Sequence, residues 1–81
     1  AVDLAPHGIR VNSVAPTFME TPLTNPMRDD PEFRDFVFGM IPMGKLGTID
    51  DVVAAVMYLV SPGSGMVTGH SLKGDGGWTA Q

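Results

Sequence analysis

Residues 9–21 read IRVNSVAPTFMET, and the fold is decided here because the stretch changes from strand to loop character at Pro16. The run before Pro16 is rich in β-branched and small residues, which predicts a β-strand over residues 9–15. Its apolar positions do not alternate, a pattern typical of a strand that is covered on both faces in a parallel sheet. Pro16 cannot extend a hydrogen-bonded ladder, so we expect the chain to leave the sheet there.

The segment after this strand is the candidate binding loop. Ligands of open α/β sheets bind just beyond the carboxyl ends of the strands, and here that place begins at Pro16. We therefore expect ligand-contacting residues over 16–21.

The composition limits the partners that this chain could bind. Of its 81 residues, 43% are hydrophobic and 17% are charged, and the formal net charge is −4. An acidic chain offers no basic face, so we expect no nucleic acid and no membrane surface as partners. It has no cysteine and only two histidines, so we expect no metal site. Neither an apolar run of roughly 18 residues nor a signal-peptide pattern is present, so we expect a cytoplasmic protein.

Helix signals surround the strand. Residues 1–5 read as the last turn of a helix that Pro6 and Gly8 end. Asp30 can cap another helix with Pro31 at its first position. Apolar residues then recur at helical spacing and form one stripe: Phe33, Phe36, Val37, Met40 and Ile41.

A further helix is predicted over residues 48–61, capped by Thr48 with two carboxylates in its first turn. It is apolar almost all round, so it must be covered on more than one side by the rest of the domain or by another subunit. Residues 70–74 read as a short last strand, and the glycines that follow end it. His70, Lys73 and Asp75 could form a salt-linked edge of this strand.

The length of the chain limits how much of an α/β domain it can form. Each βαβ unit takes roughly 30 residues, so a doubly wound sheet needs roughly 180 residues or more. We therefore expect these 81 residues to be a piece of a larger domain.

Residues 10–16, RVNSVAP, followed by Thr21-Pro22-Leu23, resemble the late part of the short-chain dehydrogenase/reductase family. That family commonly reads Arg-Val-Asn-x-Val-x-Pro-Gly-x-Ile/Val-x-Thr in this segment. The chain departs from the pattern at Thr17, where the family usually has glycine, and at Met19, where it usually has isoleucine or valine. The Asp-Gly-Gly ending of the last strand is also similar to the family's. The positions that match the first pattern are Arg10, Val11, Asn12, Val14, Pro16 and Thr21.

The resemblance implies an α/β fold in which residues 1–81 form the C-terminal part of a Rossmann-type doubly wound parallel sheet. Its parts would be a nicotinamide loop over residues 16–23, a substrate lid over 23–42, an interface helix over 48–61 and the last strand over 70–74. The buried amide of Asn12 would tie the first strand to neighbouring backbone.

The resemblance also implies an oxidoreductase that uses NAD or NADP to interconvert an alcohol and a ketone or aldehyde by hydride transfer. The cofactor contacts would come from Pro16, Thr17, Met19 and Thr21. The substrate contacts would come from Phe18 and Leu23. The family's catalytic serine, tyrosine and lysine match no residue here, so we expect the segment alone to be inactive. The remaining partners would be the rest of its own domain and, in a homotetramer, other copies.

Several alternatives remain open at this point. Thr21 could cap the segment that follows it, and the helix after Asp30 could be ordinary core rather than a lid. The protein could be a catalytically inactive family member. It could also be a small interaction module that acts through the helix over residues 48–61.

Overall fold

The computed structural model describes residues 1–19 and 30–81. Two short strands, β1 (Ser13–Pro16) and β2 (Ser71–Gly74), pair in parallel, with Ser13 opposite Ser71. Helices α1 (Pro31–Met40) and α2 (Ile49–Val60) lie between them along the chain, and α2 packs against both strands. Short 3₁₀ turns occur at Ala5–His7, Pro62–Ser64 and Trp78–Ala80. Within the described ranges, no helix has both the length and the apolar character needed to span a bilayer.

The first strand is shorter than the sequence predicts. The prediction of a strand over residues 9–15 is wrong for its first half, because β1 begins at Ser13 and includes Pro16. The Val11 N–H donates to the Thr68 hydroxyl over 3.1 Å, and the Val11 carbonyl accepts from the Gly69 N–H over 2.9 Å. The β-branched run is therefore bonded to a loop at first and to a strand only from Ser13 onward.

The Asn12 side chain links the approach to β1 with the loop before β2. Its Nδ2 donates to the Val67 carbonyl, and its Oδ1 accepts from the His70 N–H, both over 3.0 Å. A half-buried amide needs such partners on both of its ends. The expectation that Asn12 ties the strand to neighbouring backbone is confirmed.

Arg10 makes a second, charged link to the segment after α2. Its guanidinium donates to the carbonyls of Ser61, Ser64 and Val67 and to the Ser64 hydroxyl, over 3.0–3.4 Å. Ser64 is almost fully buried, and its hydroxyl also donates to the Leu59 carbonyl over 2.9 Å. The end of α2 is thereby fixed to the start of β1.

Both predicted helices are confirmed. The helical turn predicted over residues 1–5 does not end at Pro6, because Pro6 lies within the 3₁₀ turn Ala5–His7. The Ala5 N–H donates to the Ala1 carbonyl over 3.0 Å, which closes one helical turn, and Gly8 then reverses the chain with a φ of 74°. Asp30 caps α1 by accepting from the Phe33 N–H over 3.2 Å.

The buried face of α1 differs from the predicted stripe. Val37 and Ile41 are buried with Leu46, and two half-buried side chains pack against them, Phe38 and Trp78. Phe36, a member of the predicted stripe, is 59% exposed. The stripe turns toward Phe38 because Leu46 and Trp78, which helical periodicity alone does not reveal, cover that side of the helix.

A capping box begins α2. The Thr48 hydroxyl accepts from the Asp51 N–H over 3.2 Å, while the Asp51 carboxylate accepts from the Thr48 N–H over 2.9 Å. These bonds lower the pKa of Asp51 from its ordinary value. Leu59 is buried, whereas an apolar stripe on α2 is at least 43% exposed and comprises Ile49, Val53, Val56, Met57 and Val60.

Replacing Thr48 with alanine is expected to lower the free energy of unfolding by about 1 kcal/mol, because one donor at the start of α2 loses its acceptor. Replacement with serine keeps the hydroxyl and should recover most of the loss. Urea unfolding of the full-length protein measures both. Equal losses for the two variants would contradict a capping role.

Candidate functional site

The carboxyl ends of β1 and β2 border a cavity of ≈ 420 Å³. The strands are parallel, so their carboxyl ends lie side by side at one edge, where α/β folds bind ligands. Small-molecule sites commonly measure about 300–1,000 Å³, so this cavity is large enough for part of a cofactor or substrate. It is lined by Ala15, Pro16, Thr17, Phe18, Lys73, Asp75, Trp78 and Thr79.

The loop after β1 is held by backbone bonds on two sides. The Thr17 N–H donates to the Gly74 carbonyl over 3.2 Å, which continues the ladder past Pro16. The Phe18 carbonyl accepts from the Gly47 N–H over 3.0 Å, and Met19 and Gly47 form a parallel bridge. The first residues of the loop are therefore fixed between the end of β2 and the segment that precedes α2.

Thr17 is accommodated without strain. None of the non-glycine residues in the described ranges has a positive φ, so Thr17 needs no glycine-like backbone. Its Cγ2 would lie 3.7 Å from a Cβ placed on Gly47, so Gly47 leaves room beside it. Thr17 also lines a second cavity of ≈ 210 Å³, which Lys45 and Asp51 border.

Three aromatic rings meet at the loop. The Phe18 ring contacts Phe33 of α1 edge-on, with centroids 6.2 Å apart and planes at 85°. It also contacts Trp78, with centroids 5.9 Å apart and planes at 31°. Helix α1 and the chain after β2 thus converge on the same side chain of the loop.

Asp75, at the end of β2, organises the turn beside the cavity. Its carboxylate accepts from the Thr79 hydroxyl over 2.7 Å and from the N–H groups of Gly77 and Thr79 over 3.1 and 3.2 Å. The Thr79 hydroxyl is the largest cause that holds the pKa of Asp75 below its ordinary value. The salt-linked edge suggested for this strand is wrong, because the ion pair found within the described ranges joins Arg34 and Asp35, 3.9 Å apart.

Comparison with known proteins identifies the family of this chain. A family model described as Enoyl-(Acyl carrier protein) reductase matches residues 1–79. The chain belongs to the short-chain dehydrogenase/reductase family. Members of this family use NAD or NADP.

Individual relatives agree with this assignment. The chain is 42% identical over 80 residues to the short-chain dehydrogenase RED2 of Pyricularia oryzae, with 98% of this chain and 29% of that protein covered. It is 41% identical over 80 residues to the L-xylulose reductase of Mus musculus, with coverage of 99% and 33%. A gluconate 5-dehydrogenase from Burkholderia cenocepacia, crystallised with NADP and tartrate, superposes with a TM-score of 0.90 at 36% identity, with coverage of 99% and 31%. The chain spans about a third of the length of the curated relatives it matches.

The structure brings together part of the site that the sequence predicts for a short-chain dehydrogenase/reductase. Pro16, Thr17 and Phe18 line the larger cavity, and Met19 follows them at the bridge to Gly47. Two further residues assigned to the site, Thr21 and Leu23, lie outside the described residues. Within the described ranges, no group of three acidic, histidine or cysteine side chains is arranged to hold a metal ion.

Sequence reasoning missed the residues that β2 and its turn contribute to the cavity, above all Asp75 and Trp78. The sequence does contain a signal for them. It predicts the last strand, and the carboxyl ends of neighbouring parallel strands meet at one edge. The residues just after that strand could therefore have been assigned to the site.

Proposed function

We propose that this chain is the C-terminal part of an NAD(P)-dependent short-chain dehydrogenase/reductase that interconverts an alcohol and a ketone or aldehyde by hydride transfer. Pro16, Thr17, Met19 and Thr21 would contribute to the nicotinamide site, and Phe18 and Leu23 would contact the substrate. The observation that carries the proposal is the cavity at the carboxyl ends of two parallel strands, bordered by Pro16, Thr17 and Phe18, in a chain of this family.

The residues present fit a nicotinamide. The Pro16 ring and the half-buried Thr17 offer a compact wall for a flat ring, and the loop is fixed by backbone bonds at Thr17 and Phe18. Fixing the loop in advance reduces the ordering cost of binding. The departure from glycine at position 17 does not strain the loop, because Thr17 does not adopt the positive φ that would require glycine.

The role of this chain in the reaction is to bind and orient. When bound, NAD(P) would supply or accept the hydride, and a general base would take the proton of the alcohol. None of the residues in this chain matches that base, so the segment alone should not turn over substrate. The loop after β1 would hold the nicotinamide beside the reacting carbon. Helix α1 would cover the substrate and exclude water, as expected for the lid over residues 23–42.

Two observations support a larger domain. The relatives are about three times as long as this chain, by their covered shares of 29% and 33%. Within the described ranges, β1 pairs with β2 on one edge and has no strand on the other, which leaves that edge for the rest of a doubly wound sheet. By the same family resemblance, the assembly would be a homotetramer in the cytoplasm.

Replacing Thr17 with tyrosine is expected to weaken binding of NAD⁺ or NADP⁺ at least tenfold. The tyrosine ring would fill the space between the two cavities that Thr17 lines. Replacement with valine keeps the volume and removes only the hydroxyl, so its dissociation constant should stay within about threefold of the original. Calorimetric titration of the full-length protein measures both constants. Tight dinucleotide binding by the tyrosine variant would place the nicotinamide elsewhere and refute the site.

A second candidate is favoured by the exposed apolar stripe on α2. A catalytically inactive family member, or a small interaction module, could act through the helix over residues 48–61. A cooperative thermal melt of the isolated 81 residues, followed by circular dichroism, would support the module. Turnover of NAD(P)H by the full-length protein would exclude an inactive member.

A further inference from the structure

Residues 75–81, hereafter the C-terminal turn, contact both walls of the candidate site. On one side, Trp78 packs against Phe18 of the loop after β1, with ring centroids 5.9 Å apart. On the other side, the turn supports the segment that ends α1. The loop and the helix also touch directly, through the edge contact of Phe18 with Phe33.

The contacts with the end of α1 are close and specific. The Met43 N–H donates to the Gly76 carbonyl over 2.9 Å, and the Gln81 side chain donates to the Met40 carbonyl over 2.6 Å. A Cβ on Gly76 would lie 2.5 Å from Ile41 Cγ2, so the backbone of the turn touches a residue that is 1% exposed. The end of α1 has little freedom to move independently of the turn.

One carboxylate makes three of the bonds that shape the turn, beside the backbone bonds from the Trp78 N–H to the Asp75 carbonyl and from the Ala80 N–H to the Gly77 carbonyl. Asp75 accepts all three of the bonds described above, two from the chain at Gly77 and Thr79 and one from the Thr79 hydroxyl. Bonds to an ionised acceptor are stronger than those between neutral groups. Removing the charge should therefore loosen the segment that holds Trp78 against the loop and Gly76 against α1.

We propose that Asp75 is a positioning residue, which sets the spacing between the cofactor loop and helix α1 through the C-terminal turn. Trp78 transmits that position to Phe18, and Gly76 transmits it to Ile41. Asp75 lines the cavity, but its carboxylate is engaged by the three bonds within the turn, so we expect it to act through the turn on how tightly cofactor and substrate are held. The kinetic part of this inference rests on the proposed function, whereas the effect on the loop itself does not.

The first test uses Asp75→Asn in the full-length protein, with Asp50→Asn as the matched control. Asp50 is an exposed carboxylate in the first turn of α2, away from the cavity lining. We expect Asp75→Asn to raise the dissociation constant for NAD⁺ or NADP⁺ about tenfold, and to raise KM more than it lowers kcat. We expect the control to stay within twofold of the original protein in both measurements.

The second test examines the hydroxyl that makes the shortest bond. Thr79→Val should weaken dinucleotide binding by about threefold, and Thr79→Ser should restore it. The pH dependence of dinucleotide binding gives an independent check on the role of the Asp75 charge. The pKa of Asp75 is lowered in the folded protein, so the carboxylate and its bonds are present at neutral pH and are lost only as the pH falls through that lowered pKa. The acid loss of dinucleotide affinity should be smaller in Asp75→Asn than in Asp50→Asn.

Amide hydrogen exchange separates this inference from the proposed function. The Gly47 N–H, bonded to Phe18, reports the loop, and the Met43 N–H, bonded to Gly76, reports the end of α1. Both should exchange several times faster in Asp75→Asn than in Asp50→Asn, without any ligand. Faster exchange in a protein that binds no dinucleotide would refute the proposed function alone. Unchanged exchange, or a lower melting temperature with unchanged affinity, would overturn the positioning role.

Discussion

Replacing Arg10 with alanine is expected to lower the free energy of unfolding by about 3 kcal/mol, because it leaves several acceptors without their donor. The guanidinium donates to the carbonyls of Ser61, Ser64 and Val67 and to the Ser64 hydroxyl. Ser64 is only 1% exposed, so water cannot easily replace the lost bonds. Urea unfolding of the full-length protein measures the change.

The matched control is Arg34→Ala. Arg34 is half-exposed, and its contact with Asp35 spans 3.9 Å, so its loss should cost about 0.5 kcal/mol or less. An intermediate variant, Arg10→Lys, keeps the charge but cannot reach the same set of acceptors from one planar group. It should therefore recover less than half of the loss. Equal effects of Arg10→Ala and Arg34→Ala would show that the acceptors are satisfied without Arg10.

Replacing Gly76 with alanine is expected to cost about 2–4 kcal/mol, because it combines backbone strain with a steric clash. Gly76 has a φ of 62°, which a residue with a Cβ adopts at a cost. Its new Cβ would lie 2.5 Å from Ile41 Cγ2, in the buried cluster that joins α1 to Leu46. Thermal and urea unfolding of the full-length variant measure the loss.

The control for the clash is Gly44→Ala. Gly44 has a φ of 70°, and a Cβ added there would have no heavy atom within 4 Å, so this variant should show only the backbone cost, about 1 kcal/mol. Trimming the facing residue with Ile41→Val in the Gly76→Ala background should recover part of the difference. A loss in Gly76→Ala no larger than that in Gly44→Ala would mean that Ile41 moves aside freely.

The helices of this chain could be predicted from their ends. Asp30 and Thr48 cap α1 and α2 as their positions in the sequence indicate. The buried face of α1 was predicted less accurately than its ends, because the side chains that cover it come from other parts of the chain. These side chains are Leu46 and Trp78. Periodicity identifies an apolar stripe but does not reveal what packs against it.

The side of the cavity formed by the loop after β1 could be predicted from the sequence. The side formed by the turn after β2 could not, because it depends on the pairing of the two strands. Pro16 marks the end of β1, and Thr17 and Phe18 after it line the cavity. Asp75 and Trp78 reach the same cavity from the other end of the chain, and their role depends on the pairing of β1 with β2. Local sequence patterns do not contain that pairing, although the two predicted strands together could have suggested it.

The pairing of β1 with β2 also affects how the chain folds while the ribosome synthesises it. The bonds that hold β1 join residues far apart, and the one from His70 to Asn12 spans 58 positions. At a translation rate of about 5–20 residues per second, β1 emerges about 3–12 s before its partner has been made. During that interval its backbone donors and acceptors can pair with other nascent or misfolded chains. Slower translation lengthens this interval and should therefore increase aggregation of the nascent chain.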